Sequence, residues 1–202
     1  MYLSYRCATK PTHMSASLRD YIESIVSVTD EEFDQILSCF VPMTVAKGEV
    51  LLQQEHVCHY CYFVETGAIR MYTIRESGEE STRYINTEGQ FGTALVSFMT
   101  HQPSFEAIQA IEKTELQRIS YTRFYELTKK LPAWQQLYIT LLERALQYNI
   151  FRLETFLTMD AHARYEWLTQ SHPDFPKRFP VKMLSSFLGI SRETLSRLRA
   201  IN

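Results

Sequence analysis

The chain closes on a run whose residue types suit one kind of chemistry: Ser191-Arg192-Glu193-Thr194-Leu195-Ser196-Arg197-Leu198-Arg199. An arginine fork can give two parallel hydrogen bonds to guanine O6 and N7, and a carboxylate can accept from cytosine N4. A carboxylate facing DNA is otherwise unfavourable, so a glutamate between two arginines points to base reading rather than charge attraction. Arg192, Glu193 and Arg197 are the candidate base readers. Lys182, Ser186, Ser191, Thr194 and Arg199 are the candidates for holding the phosphate backbone. The same residues would also suit a helical hairpin with a solvated charged face.

Such side chains work only if a scaffold presents them. Residues 181–188 read as a first helix with Met183, Leu184, Phe187 and Leu188 turned inward. Gly189 falls where the chain must leave that helix with positive φ. Ile190 fills the angle, Ser191 caps a second helix, and Leu195 and Leu198 bury its inner face. This is helix-turn-helix grammar, with the second helix set for a DNA groove. Asp160 caps a further helix over 160–171, and the prolines from Pro173 to Pro180 break the chain between them.

Upstream, Pro132 opens a long helix, a tolerated first-turn position for proline. Its apolar residues three and four apart include Trp134, Tyr138, Leu141, Ala145 and Tyr148. That wide aromatic stripe is expected to pack against a second copy of the chain, the alternative being a helix lying on its own core. Before it, from about Val41, short β-branched and aromatic stretches alternate with glycine turns. They fall at 44–46, 50–53, 60–65, 68–74, 81–86, 106–110 and 115–120. Many short, evenly spaced strands argue for an antiparallel sandwich or jelly roll. Two helices precede them, at 15–28 and 30–39, the second capped by Thr29 with acids in its first turn. The fold class expected is therefore α+β.

Charge and cysteine usage set the context. The segment 158–202 carries a net +3, whereas the rest carries −5, a weak pointer to nucleic acid. The four cysteines, Cys7, Cys39, Cys58 and Cys61, form no dense disulfide framework. No convincing signal peptide and no membrane span are visible, so a cytoplasmic setting without membrane association is expected. Met14 is an alternative start. Cys58-His59-Tyr60-Cys61 has metal-like spacing, with His56 nearby, but one such pair without a second is a weak signal, and no metal is expected. No clustered histidines, nucleophile motif or phosphate-cradling loop argues for an enzyme, and no catalytic residue is assigned.

Ser191-Arg-Glu-Thr-Leu-Ser-Arg197 resembles the recognition-helix signature of the cyclic-AMP receptor/FNR (CRP/FNR) family of bacterial transcription regulators. Tyr60-Cys-Tyr-Phe-Val-Glu-Thr-Gly67 resembles that family's strand ending in a glycine turn. Ile119-Ser-Tyr-Thr-Arg-Phe124 resembles its passage from the last strand to the next helix. The resemblance covers roughly 41–202. It implies a cyclic-nucleotide-binding-like jelly roll with N-terminal helices (1–131), a dimerisation helix (132–157) and a minimal winged-helix-like helix-turn-helix domain (158–202). It further implies a homodimer on a two-fold symmetric duplex operator, with RNA polymerase a candidate partner.

The resemblance also locates an effector pocket at Gly92, Thr93, Ala94, Ser104, Phe105 and Glu106. Nucleotide-binding relatives use a Gly-Glu pair for the ribose and an arginine for the phosphate. Here those positions fall on Thr93 and near Ser104, and no Arg or Lys occurs between Phe91 and Ile111. A buried phosphate needs a charge-assisted partner, and Glu106 would repel it. Cyclic AMP is therefore not expected as a cofactor; the small-molecule effector is left unknown. A jelly-roll ligand or interaction module without a DNA role is the competing reading.

Overall fold

The structure, a computed structural model, describes residues 17–201. Cys7 and the alternative start at Met14 lie outside the described residues. Two short helices come first, α1 (Leu18–Glu23) and α2 (Asp30–Leu37). Both open on reciprocal caps: Ser17 with Asp20, and Thr29 with Glu32. Each pair satisfies two backbone donors that the first turn leaves free.

Eight strands follow: β1 (Phe40–Val45), β2 (Val50–Leu52), β3 (Tyr60–Thr66), β4 (Ile69–Ile74), β5 (Glu80–Asn86), β6 (Phe91–Gly92), β7 (Ala107–Ala110) and β8 (Thr114–Ser120). They pair antiparallel in two four-stranded sheets, β1-β8-β3-β6 and β2-β7-β4-β5. Register is set by side chains that meet inside: Phe40 and Cys61 both stand opposite Ile119, and Ile69 stands opposite Ala110. Phe63, Val64, Ile69, Ile108, Leu116 and Ile119 are essentially fully buried in the core that the sheets and the flanking helices share. The strands expected from the sequence recur with boundaries shifted by a few residues. The two-residue β6 and a short helix, α3 (Leu95–Thr100), were not expected.

Helix α4 (Tyr121–Lys130) leads into α5 (Pro132–Thr158), 27 residues long with proline at its first position. Then come α6 (Ala161–Ser171), α7 (Phe175–Arg178), α8 (Val181–Leu188) and α9 (Arg192–Ile201). Asp160 caps α6 through the amide of Ala163, as expected. The proline-rich break holds one turn of helix, α7.

The face of α5 assigned to a second copy needs correction. Trp134 is 1 % exposed and packs edge-on against Phe40 and Phe124 in the jelly-roll core. The Tyr138 hydroxyl meets that of Tyr125 at 3.1 Å, Leu141 packs on the same core, and Tyr148 packs on Tyr84 with ring centres 4.1 Å apart. Ala145 on this stripe is half-buried. The stripe was real, but the chain's own α4 and, at Phe40 and Tyr84, its strands cover most of it. The open apolar face carries Ile139, Leu146, Ile150, Leu153 and Leu157.

Candidate nucleic-acid interface and effector region

α8 and α9 form the hairpin that the glycine signalled. Gly189 has φ +63°, and Ile190 N–H returns to Ser185 O. Ser191 Oγ accepts from Thr194 N–H at 3.0 Å, capping α9, and lies 3.0 Å from the Thr194 hydroxyl. Leu195 is fully buried, Leu198 half-buried, and Arg192, Glu193 and Arg197 are exposed. The Glu193 carboxyl is held below the usual range by its own backbone N–H in the first turn of α9 and by Ser191, with help from Arg192 and Arg197. It is thus an ionised acceptor flanked by two cations, on the outer side of a helix whose inner side is buried.

Three of the five residues assigned to phosphates are otherwise engaged. Lys182 Nζ donates to Glu80 at 3.2 Å. Ser186 Oγ accepts from Thr82 N–H at 2.7 Å and donates to Thr82 Oγ1 at 2.9 Å. Arg199 Nη2 donates to Pro176 O at 2.9 Å. The sequence assigned all three to the DNA backbone. In fact α8 lies on β5, so Lys182 and Ser186 face the sheet, and Arg199 reaches back to α7. Ser191 and Thr194 remain at the mouth of α9.

The contact between α7, the turn of helix just before the hairpin, and the sheets is built around Arg178. Its guanidinium bonds Glu88 at 2.6 and 2.9 Å, Glu112, and Gly67 O at 3.1 Å, so one side chain gathers three strand turns. Burial alone would lift the Glu88 carboxyl, but the Arg178 bonds and charge outweigh it and hold it low. Gly67 has φ +89°, and a Cβ there would fall 2.6 Å from Lys113 O, so glycine is required at this junction. Ala68 and Ile85 of the sheet share a buried cluster with Phe175, Phe179, Leu184 and Phe187.

The expected effector pocket is turned inward and closed on itself. Thr93 Oγ1 donates to Tyr60 O at 2.9 Å and lies 3.3 Å from Cys58 Sγ. Gly92 is buried, and a Cβ there would fall 3.0 Å from Asn86, Ile69 and Met71. Ala94 is buried at the start of α3. Ser104 bonds the backbone of Glu106, accepting from its N–H and donating to its C=O, whereas Phe105 points away, 80 % exposed. Glu106 is 9 % exposed and forms a two-pronged ion pair with Arg83 of β5. Arg83 is the cation that the 91–111 window missed: it arrives from a strand some twenty residues upstream. Burial acts against its charge, but Glu106 more than compensates, and its pKa is raised.

Cys58 and Cys61 are both buried and unpaired, and burial pushes the Cys61 thiol up. Among the described residues, no group of three or more His, Cys, Asp or Glu side chains is arranged to hold a metal. No helix among them is long and apolar enough to cross a membrane.

Two antiparallel sheets, a long following helix and a terminal helix-turn-helix define a cyclic-nucleotide-binding-type domain joined to a recognition module. Residues 42–130 match the family model of the cyclic nucleotide-binding domain. The chain is 27% identical over 180 residues to the fumarate and nitrate reduction regulatory protein of Vibrio cholerae, covering 83% of this chain and 70% of that one. It is 26% identical over 172 residues to the cyclic AMP receptor protein of Thermus thermophilus, covering 83% and 79%. The structure of FixK2 from Bradyrhizobium japonicum shares the fold, with a TM-score of 0.67 over 80% of this chain and 83% of that one at 16% identity. Residues 42–130 thus match a cyclic nucleotide-binding domain, and the chain as a whole is similar to transcription regulators of the CRP/FNR type.

Proposed function

We propose that the chain is a homodimeric, sequence-specific DNA-binding regulator whose α9 enters the major groove. Arg192, Glu193 and Arg197 read bases, and Ser191 and Thr194 meet phosphates at the mouth of the helix. The observation that carries this reading is the asymmetry of α9, with Leu195 fully buried beneath an exposed Arg-Glu-Arg face. The second copy packs on α5 through Ile139, Leu146, Ile150, Leu153 and Leu157, whose spacing follows a coiled-coil seam. We assign 1–131 to the effector-type unit, 132–157 to the dimerisation helix and 158–202 to the DNA unit. The protein acts in the cytoplasm, without catalysis, and contacts RNA polymerase at its promoters. Cyclic AMP is not its effector: Glu106 already occupies Arg83, and a phosphate would have to displace it. An effector of this region is uncharged or apolar.

The test is selection of binding sites from random duplex DNA by the purified protein, with and without cyclic AMP, at fixed salt. Enrichment of an inverted repeat, unchanged by cyclic AMP, is expected. Enrichment only with cyclic AMP would overturn the effector reading. Enrichment of a single half-site would overturn the dimer.

A further inference from the structure

Two features of α5 meet within one helical turn. Arg152 is 5 % exposed, and its Nη2 donates to Phe187 O, one of the last carbonyls of α8. Its Nε and Nη1 have no hydrogen-bond partner among the described residues, and no described carboxylate pairs with it. The guanidinium lies instead against the rings of Phe187, at 4.3 Å, and Phe156, at 4.7 Å. A buried cation without a counter-ion is expensive, and an apolar side chain would fill this space at lower cost. What the guanidinium adds is a directed bond to the end of α8, where the helix dipole favours a positive charge. Arg164 donates likewise to Leu188 O at 2.8 Å. One turn beyond Arg152, Phe156 crowds Gly189, since a Cβ there would fall 2.6 Å from the ring. The turn of the hairpin is thus gripped by α5.

Three residues before Arg152, on the same side of the helix, Asn149 Oδ1 accepts from Arg83 Nη1 at 3.1 Å. That is the arginine held by Glu106. Beside it, Tyr148 packs on Tyr84. So β5 holds α5 at 148 and 149, through an arginine paired by the loop before β7, and α5 holds the hairpin at 152 and 156.

We propose that residues 148–156 of α5 are a coupling rod in which Asn149 and Arg152 are positioning residues: the internal Arg83–Glu106 pair fixes the rod, and the rod fixes the orientation of α9. This inference rests on reading α9 as the DNA-recognition helix.

A double-mutant cycle in the full-length protein tests it, with Asn149→Ala, Arg152→Lys and the pair. Arg152→Lys keeps the charge and loses the fork. On the selected operator each single variant should weaken binding by about tenfold, with binding to random duplex unchanged. The two losses should depart from additivity by about threefold or more. Repeated site selection with either variant should show a relaxed spacing between half-sites. Additive losses, or equal losses on operator and random DNA with unchanged spacing, would overturn the rod. A second readout needs neither DNA nor Arg152→Lys: hydrogen exchange at the Ile190 amide, which bonds Ser185 O at 3.0 Å. Asn149→Ala and Glu106→Gln should each speed that exchange, and unchanged exchange in both would overturn the coupling. If the wild type selects no site while these variants still speed exchange, the DNA reading fails and the rod stands.

Discussion

At Gly189 two constraints coincide, a left-handed backbone and a ring of α5 against the Cα. Gly189→Ala should cost about 1–2 kcal/mol from the backbone alone, and more from the displaced Phe156 ring. Urea unfolding measures it; a loss under about 0.5 kcal/mol would mean that neither constraint acts. Arg197→Ala bears on the outer face of the same hairpin. It should cost about 1–3 kcal/mol at the operator and relax the choice of one base. An equal loss on random DNA would reduce Arg197 to a phosphate contact. Residue roles on the hairpin were legible because each depends on local spacing: the glycine, the serine cap and the buried leucines stand where their neighbours in sequence demand. Lys182 and Ser186 were not, because their partners, Glu80 and Thr82, lie about a hundred positions away. Arg83 escaped for the same reason. A search for a phosphate clamp within one loop cannot see a cation delivered across a sheet.

Among the elements, α5 shows how far periodicity goes. Its length and its proline start followed from the sequence, and so did the presence of an apolar stripe. Which stripe faces outward did not, since this helix is apolar over much of its circumference and covers two surfaces at once. The two faces make opposite predictions. Trp134→Ala removes a fully buried indole and should destabilise the fold by about 3–5 kcal/mol, seen in urea unfolding. Leu153→Glu lies on the open face at 60 % exposure, so it should leave the fold intact and yield a monomer in sedimentation. A dimeric Leu153→Glu protein would move the seam elsewhere. The short elements β6 and α3 fall below the length at which either period can be recognised.

At the scale of the whole molecule, the hairpin is docked on the sheets through a buried apolar cluster and the Arg178 hub, so pH reaches the join between the two units. Glu88 has its native pKa held below the ordinary carboxylate value. A lowered carboxylate contributes stability that is fully present above the unfolded pKa, about 4.3, and is lost as pH falls through the native one. Glu80, lowered by Arg70 and Lys182 against the effect of burial, acts in the same direction across the same join. In Arg178→Gln the cation is gone, and burial is opposed only by the backbone N–H groups of Glu88 and Gly67, so the Glu88 pKa rises relative to the wild type. The carboxylate then contributes less to folding at neutral pH, and correspondingly less is lost as it takes up a proton. The deficit of Arg178→Gln relative to the wild type should therefore be largest near pH 7 and shrink below about pH 4. Urea unfolding midpoints at the two pH values decide it. An equal deficit at both would mean that Arg178 holds the hairpin by packing and by its bond to Gly67 O, with its ion pairs contributing little.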